Sequence, residues 1–261
     1  MKGSPKKVTL VTAVALVTVA VCASDKRRWP AKPTRRFSVR TKVWQRVLRE
    51  TAYADGWFPA NLRCNRATFF AIVQRIEKRW PRIRRAPRPN AIFNIPDRVA
   101  VTLYYLTHAS GAYAAGQLVG ACKSRLLAYI RQVVQVIASF SEETIKLPSS
   151  RGDWSANFAG FARINGLSRV TGAIDGTLIR IKRIEDFEGF YCRKGYPAFN
   201  VIAVADHRKR FMAFSIRNGA QNDQSVLNRS HFGLTLDATL PANAYYLGDA
   251  GYKLTRHVLI P

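Results

Sequence analysis

The sequence predicts an all-helical first half followed by an α/β domain that begins near residue 149. Three observations carry this reading. Upstream, apolar residues recur at spacings of three and four, the period of one helix face. Downstream, segments rich in Val, Ile, Phe and Ala alternate with turn signals, as strands do. Between them a Pro- and Ser-containing stretch, residues 148–153, reads as a loop. The expected boundaries are residues 1–37 for an apolar run and basic arm, 38–148 for a helical region, and 149–261 for the α/β domain.

The elements follow in order. Residues 8–23 are apolar behind a basic start, and both a secretory leader and one more apolar helix fit them. The run is short for a membrane-spanning helix. The cluster DKRRWPAKPTRR comes next and suits a nuclear address or a phosphate-binding arm. From Ser38 to Tyr53, Val39, Val43, Trp44, Val47 and Leu48 form a helical stripe. Asn65 caps a second helix through Phe69, Phe70, Val73 and Ile76, which ends before Pro81. Asp97 opens a third, through Val99, Leu103 and Tyr104.

The stretch YAAGQLVGACKSRLLAYIRQVVQVI reads as a short helix, a tight turn at Gly120, and a longer helix capped by Ser124. That is a helix-turn-helix outline, with Arg125 and Arg131 on the second helix as candidate DNA contacts. Two ordinary core helices joined by a glycine turn would give the same pattern. In the second half LSRVTGAIDGTLIRIKRI, FNVIAVADH and RFMAFSIRNG are strands, NDQSVLNRS is a short helix, and AYYLGDAGY is a fourth strand ending in a turn.

Charge narrows the partner. The chain has 42 Lys and Arg against 16 Asp and Glu, a net +26. Residues 1–88 alone hold 22 basic and 4 acidic groups. Such an excess favours a polyanion, nucleic acid first and an anionic membrane surface second, with a merely solvated arm as the plain alternative. Cys22, Cys64, Cys122 and Cys192 are scattered, without C-x-x-C or paired histidines. They signal neither a zinc module nor a disulfide framework, and reduced thiols are expected.

The aspartates of the second half lie at strand ends. Asp175 stands in a strand that otherwise reads as buried, where an unpaired carboxylate costs several kcal/mol to desolvate. Asp206, before HisArgLysArg, reads as a turn residue. Asp223, after Asn222, reads as a helix cap, and Asp249 fits a turn and a ligand equally well. Carboxylates that converge repel one another unless cations bridge them, and hard divalent metals prefer oxygen ligands. In so basic a chain, Mg²⁺ or Mn²⁺ acting on phosphodiesters is the economical explanation.

The ordered motifs GAIDGTLIRI, YCRKGYPAFNVIAVADHRKRF, NGAQNDQSVLNRS and LGDAGYKL resemble the nuclease domain of PIF/Harbinger transposases, the DDE superfamily endonuclease group. FFAIVQRI, IPDRVAVTLYYL and VGACKSRL are similar to that family's N-terminal region. The resemblance implies a ribonuclease H-like mixed sheet, with the first acid on the first strand and the second just after the fourth. Asp175 and Asp249 take those catalytic, metal-binding positions. Asp223 matches a further aspartate, as metal-site or support residue, and Arg193, Lys194 and Gly195 match a step suited to DNA phosphates.

DNA is then the partner, with an accessory DNA-binding protein and self-association also compatible, and no membrane role. Nuclear residence follows, secretion from residues 1–23 being the alternative. Two positions depart from the family pattern, Leu178 and Asn222, where it carries histidine. The family's third acid is a glutamate on a later helix, whereas here the last glutamate is Glu188 and the last acid Asp249. The resemblance therefore implies a C-terminally truncated domain with impaired cleavage, or else a non-catalytic DNA- or protein-binding remnant of a domesticated transposase.

Overall fold

The computed structural model describes residues 43–89, 91–108, 111–183 and 188–261. The leader-like run and basic arm expected over residues 1–37 lie outside the described residues. These fall into two compact units, 43–141 and 142–261. Among them no helix is long and apolar enough to cross a membrane.

The first unit is helical. The single helix expected up to Tyr53 is two, α1 (Val43–Arg49) and α2 (Thr51–Leu62), because Glu50 adopts an extended conformation between them. Helix α3 (Arg66–Ile83) is capped as expected, Asn65 Oδ1 accepting from Thr68 N at 2.7 Å. It does not stop before Pro81. The proline lies in the last turn, where its missing N–H costs one bond, and Trp80 pins that turn to the core at 1% exposure.

Helix α4 (Ile95–Thr107) starts two residues before Asp97. Asn94 is its cap, and Asp97 answers as the third residue of a capping box, bonding back to Asn94 N at 2.9 Å. Trp44 Nε1 donates to the same carboxylate at 2.8 Å. Trp44, Val47, Phe58, Phe69, Val73, Ile76 and Leu103 form the core with Trp80. The Trp44 ring stands edge-on to Phe69 at 5.5 Å, a geometry worth about 0.5–1.5 kcal/mol beyond burial.

The pair in the helix-turn-helix position is α5 (Gly111–Val119) and α6 (Lys123–Ala138). Gly120 joins them at φ +71°, a left-handed conformation that glycine adopts without penalty. Cys122, not Ser124, occupies the cap position of α6, and it makes no side-chain cap bond. Leu126, Ile130, Val133, Val134 and Ile137 face inward. Arg125 and Arg131 are both exposed. Six residues apart, they stand about 120° from each other around the helix, so they do not form one stripe.

The second unit opens with a helix that the sequence reading missed. Residues 148–153 are not merely a loop: Ser150 Oγ accepts from Asp153 N at 3.1 Å and Asp153 bonds back, starting α7 (Arg151–Asn165). A mixed sheet follows, made of β1 (Val170–Arg180), β2 (Ala198–Ala205), β3 (Phe211–Asn218), β4 (Tyr245–Leu247) and β5 (Val258–Leu259). Its order is β3-β2-β1-β4-β5. The β3-β2 and β2-β1 pairs are antiparallel, and the β1-β4 and β4-β5 pairs are parallel.

Helices α8 (Asp223–Arg229) and α9 (His231–Thr239) link β3 to β4. Val226, Leu227 and Phe232 from them pack with Ile174, Ile202, Tyr246 and Tyr252. Asp206 is the turn residue it was read as. Its Oδ1 accepts from Arg208 N and Arg210 N at 2.9 and 2.8 Å, and its Oδ2 pairs with the Arg210 guanidinium.

Candidate active site

Asp175 does not stand in a buried run. Burial ends at Ile174, and Asp175 is exposed midway along β1, opposite Ala203 of β2. The desolvation cost expected from the sequence therefore does not arise. Its Oδ1 accepts from Gly176 N at 2.7 Å, which holds the carboxylate against its own strand.

Asp249 follows β4 by two residues, just as Asp175 follows the last β1–β4 pair, Ala173 with Leu247, by two. Parallel register thus sets the two acids level with one another, Asp175 within β1 and Asp249 just past the end of β4. Asp249 is exposed, and its Oδ1 accepts from Gly251 N at 3.0 Å, the local bond of an Asx turn. Its turn reading is correct for one oxygen, and the other remains available.

Asp223 is not the helix cap. That role belongs to Asn222, whose Oδ1 accepts from Ser225 N at 2.8 Å. Asp223 is the first residue of α8, and its Oδ1 accepts from Asn200 Nδ2 at 2.7 Å. Its carboxyl lies directly over Gly176, where an added Cβ would meet the Asp223 carboxyl carbon at 2.5 Å. A side chain at position 176 would displace the acid from there. Gln224 Oε1 accepts from Lys253 N at 2.7 Å, tying the segment after Asp249 to the first turn of α8.

Tyr252 feels the charge of all three acids. Burial, and then the negative charges of Asp223, Asp249 and Asp175, push its phenol well above the ordinary tyrosine range. The residue is 3% exposed, and its hydroxyl is buried without a hydrogen-bond partner. The sequence reading quoted Tyr252 within LGDAGYKL and gave it no role, since nothing local shows that its ring turns inward. The donors of the three aspartates are all oxygens, the chemistry that suits a hard divalent cation. Among the described residues, no three His, Cys, Asp or Glu side chains stand as a ready-made metal-binding group.

A cavity of about 280 Å³ opens beside Asp223. Arg193 and Lys194 line it from the tip of a hairpin closed by the Tyr191–Pro197 bridge. Both are exposed, unlike Asn200 at its wall. Leu178 and Asn222, the two departures from the family pattern, line the same cavity although 44 positions of sequence separate them. Arg193 and Lys194 are thus brought beside Asp223. Arg125 and Arg131 belong to the helical unit.

Residues 174–261 match the sequence profile of the DDE superfamily endonucleases. The match contains Asp175, Asp223, Asp249 and the whole lining of the cavity. Among curated proteins, the rat (Rattus norvegicus) and human (Homo sapiens) proteins named "Putative nuclease HARBI1" are each 23% identical over 167 residues. The aligned region is 63% of this chain and 48% of each relative. The mouse (Mus musculus) protein of that name aligns over the same length at the same identity. The chain thus spans about half the length of the curated relatives it matches. No solved structure matches it.

Proposed function

We propose that the segment matching the DDE superfamily endonucleases works as one: a transposase-derived domain that cleaves DNA phosphodiesters with a divalent metal. Asp175 and Asp249 are its catalytic acids, and Asp223 supports them. The observation that carries this reading is that, within the matched segment, parallel β1–β4 register sets Asp175 level with Asp249 while the Asp223 carboxyl lies over Gly176, next to Asp175. The strand order supports the ribonuclease H-like assignment, since Asp175 stands on the first strand and Asp249 just past the fourth.

Bound between the acids, Mg²⁺ or Mn²⁺ would offset their repulsion and polarise the phosphodiester. The chain's own part is positioning. Backbone N–H groups of Gly176 and Gly251 fix Asp175 and Asp249, and the Asn200 amide fixes Asp223. Arg193 and Lys194 supply positive charge for the DNA backbone on the same side as Asp223.

The test uses the purified chain with terminal-repeat and supercoiled DNA and either metal. Strand cleavage is expected that needs the metal and is lost in Asp175→Asn. Cleavage that survives Asp175→Asn or Asp249→Asn rejects the assignment.

One observation favours a second reading, a DNA-holding protein without catalysis: no three metal-binding side chains are grouped among the described residues. On that reading the basic first half does the work, and affinity falls steeply as salt rises, with no cleavage under any metal. Either reading places the protein in the nucleus, with an accessory DNA-binding protein or a second copy helping to choose the site. Microscopy of the tagged chain checks the location, and recovery of the chain from the medium would contradict it.

A further inference from the structure

We infer that the cavity beside Asp223 receives one unpaired nucleotide of a DNA strand, with its base inside and its phosphate on Arg193 and Lys194. The inference rests on the endonuclease reading and names the form of DNA that the site prefers.

The cavity's chemistry is specific. Asn200 is 2% exposed, and its Nδ2 is spent on Gln221 O at 2.8 Å and Asp223 Oδ1 at 2.7 Å. Those two acceptors fix the amide orientation and leave Asn200 Oδ1 buried without a partner. Gln221, which also lines the cavity, has its Oε1 buried and unpartnered. A buried acceptor without a donor is costly, so a small side-chain shift that opens either one to the cavity lets a ligand N–H satisfy it. Every nucleobase carries an N–H or NH₂ donor on its pairing edge.

Tyr196 supplies a stacking surface. Its ring is half-buried at the cavity, backed by the Arg180 guanidinium 4.4 Å from the ring centroid. The two cations sit on a pinned turn. Cys192 N donates to Tyr196 O at 3.0 Å, Gly195 N to Cys192 O at 2.9 Å, and Ile181 N to Pro197 O at 2.9 Å. A cationic tip, an aromatic face and buried acceptors match phosphate, base plane and base edge in turn. A space of about 280 Å³ excludes a duplex, whose bases are stacked and paired, and admits one nucleotide that has left the stack.

Metal-free equilibrium binding of the full chain tests this, so it can fail while cleavage stands and hold where cleavage fails. The probes are a blunt duplex, the same duplex with one unpaired 3′ nucleotide, and one whose added nucleotide is abasic. The base-bearing overhang is expected to bind about tenfold tighter than the other two, the scale of one base–aromatic stack. Ala220→Trp, at an exposed position of the lining, should remove that preference and leave blunt-duplex affinity unchanged. Equal affinity for all three probes would overturn the proposal. So would an abasic overhang as tight as the base-bearing one, or a preference that survives Ala220→Trp.

Discussion

The helical unit and the sheet unit handle buried polar groups in opposite ways. In the helical unit the inward polar groups serve the fold. Trp44 reaches Asp97, and Arg98, 9% exposed, donates to Phe93 O and Gln132 and stacks over Tyr129. Its unpartnered atoms include Arg66 Nη1 and Arg84 Nε, on guanidinium groups whose Nη2 atoms are bonded. In the sheet unit the unpartnered atoms include Asn200 Oδ1, Gln221 Oε1 and Tyr252 Oη by the aspartates, together with Asn218 Oδ1 and His257 Nδ1. Unsatisfied acceptors and hydroxyls cost stability, and in the sheet unit three of them lie beside the candidate acids.

The contrast can be tested by separating stability from chemistry. The largest effect is expected in the helical core: Trp80→Ala should cost about 3–5 kcal/mol of that unit's stability in chemical denaturation. A loss under 1 kcal/mol would show that the core is not what holds it. Asp175→Asn should do the reverse. It should lower metal-dependent cleavage by more than about 100-fold, since even partners behind metal ligands are worth 10–100-fold. Its melting curve should stay in place, and a matching fall in stability would erase the contrast.

Tyr252→Phe sharpens the comparison from the other side. Deleting an orphaned buried hydroxyl should raise stability by about 1 kcal/mol in the metal-free protein, whereas a loss would reveal a partner. The smallest effect concerns His207, whose Nδ1 contacts Asn157 Oδ1 at 2.8 Å while Arg208 Nε donates to its Nε2. That arrangement needs a neutral ring, and burial holds its pKa below the ordinary histidine value near 6.5. The folded state therefore resists the proton. The contribution is present above that value and is lost as pH falls through it to the lower folded one. The sheet unit should thus melt earlier at pH 5 than at pH 7, and His207→Gln should flatten the difference.

What could be read in the sequence was what neighbours in the chain decide. Asn65, Gly120 and the Val/Ile-rich strands announced themselves locally, and so did the turn at Asp206. Helix α7 escaped because Gly152, Ser155 and Gly160 blur its apolar face, although Ser150 and Asp153 at cap spacing signalled its start. Helix α9 carries Gly233 and β-branched Thr235 and Thr239, and β5 is two residues long, too short for any period to show. The exposure of Asp175 was misread because apolar flanks say nothing about where a strand leaves the core. The cavity was illegible altogether. It needs Leu178, Asn200 and Asn222 side by side, and only sheet pairing and the start of α8 put them there.

The parallel pairing of β1 with β4 has a consequence in time. It joins chain segments that Thr171 and Tyr245, bonded at 3.1 Å across 74 residues, bring together. Closing so long a loop precedes any reward from the contact, so this pairing belongs to the slow, late part of folding. The helical unit, made first on the ribosome and rich in local contacts, can settle while the sheet still lacks its fourth strand. Asp249 arrives later still. A newly made chain therefore cannot set Asp249 level with Asp175 until synthesis has passed β4.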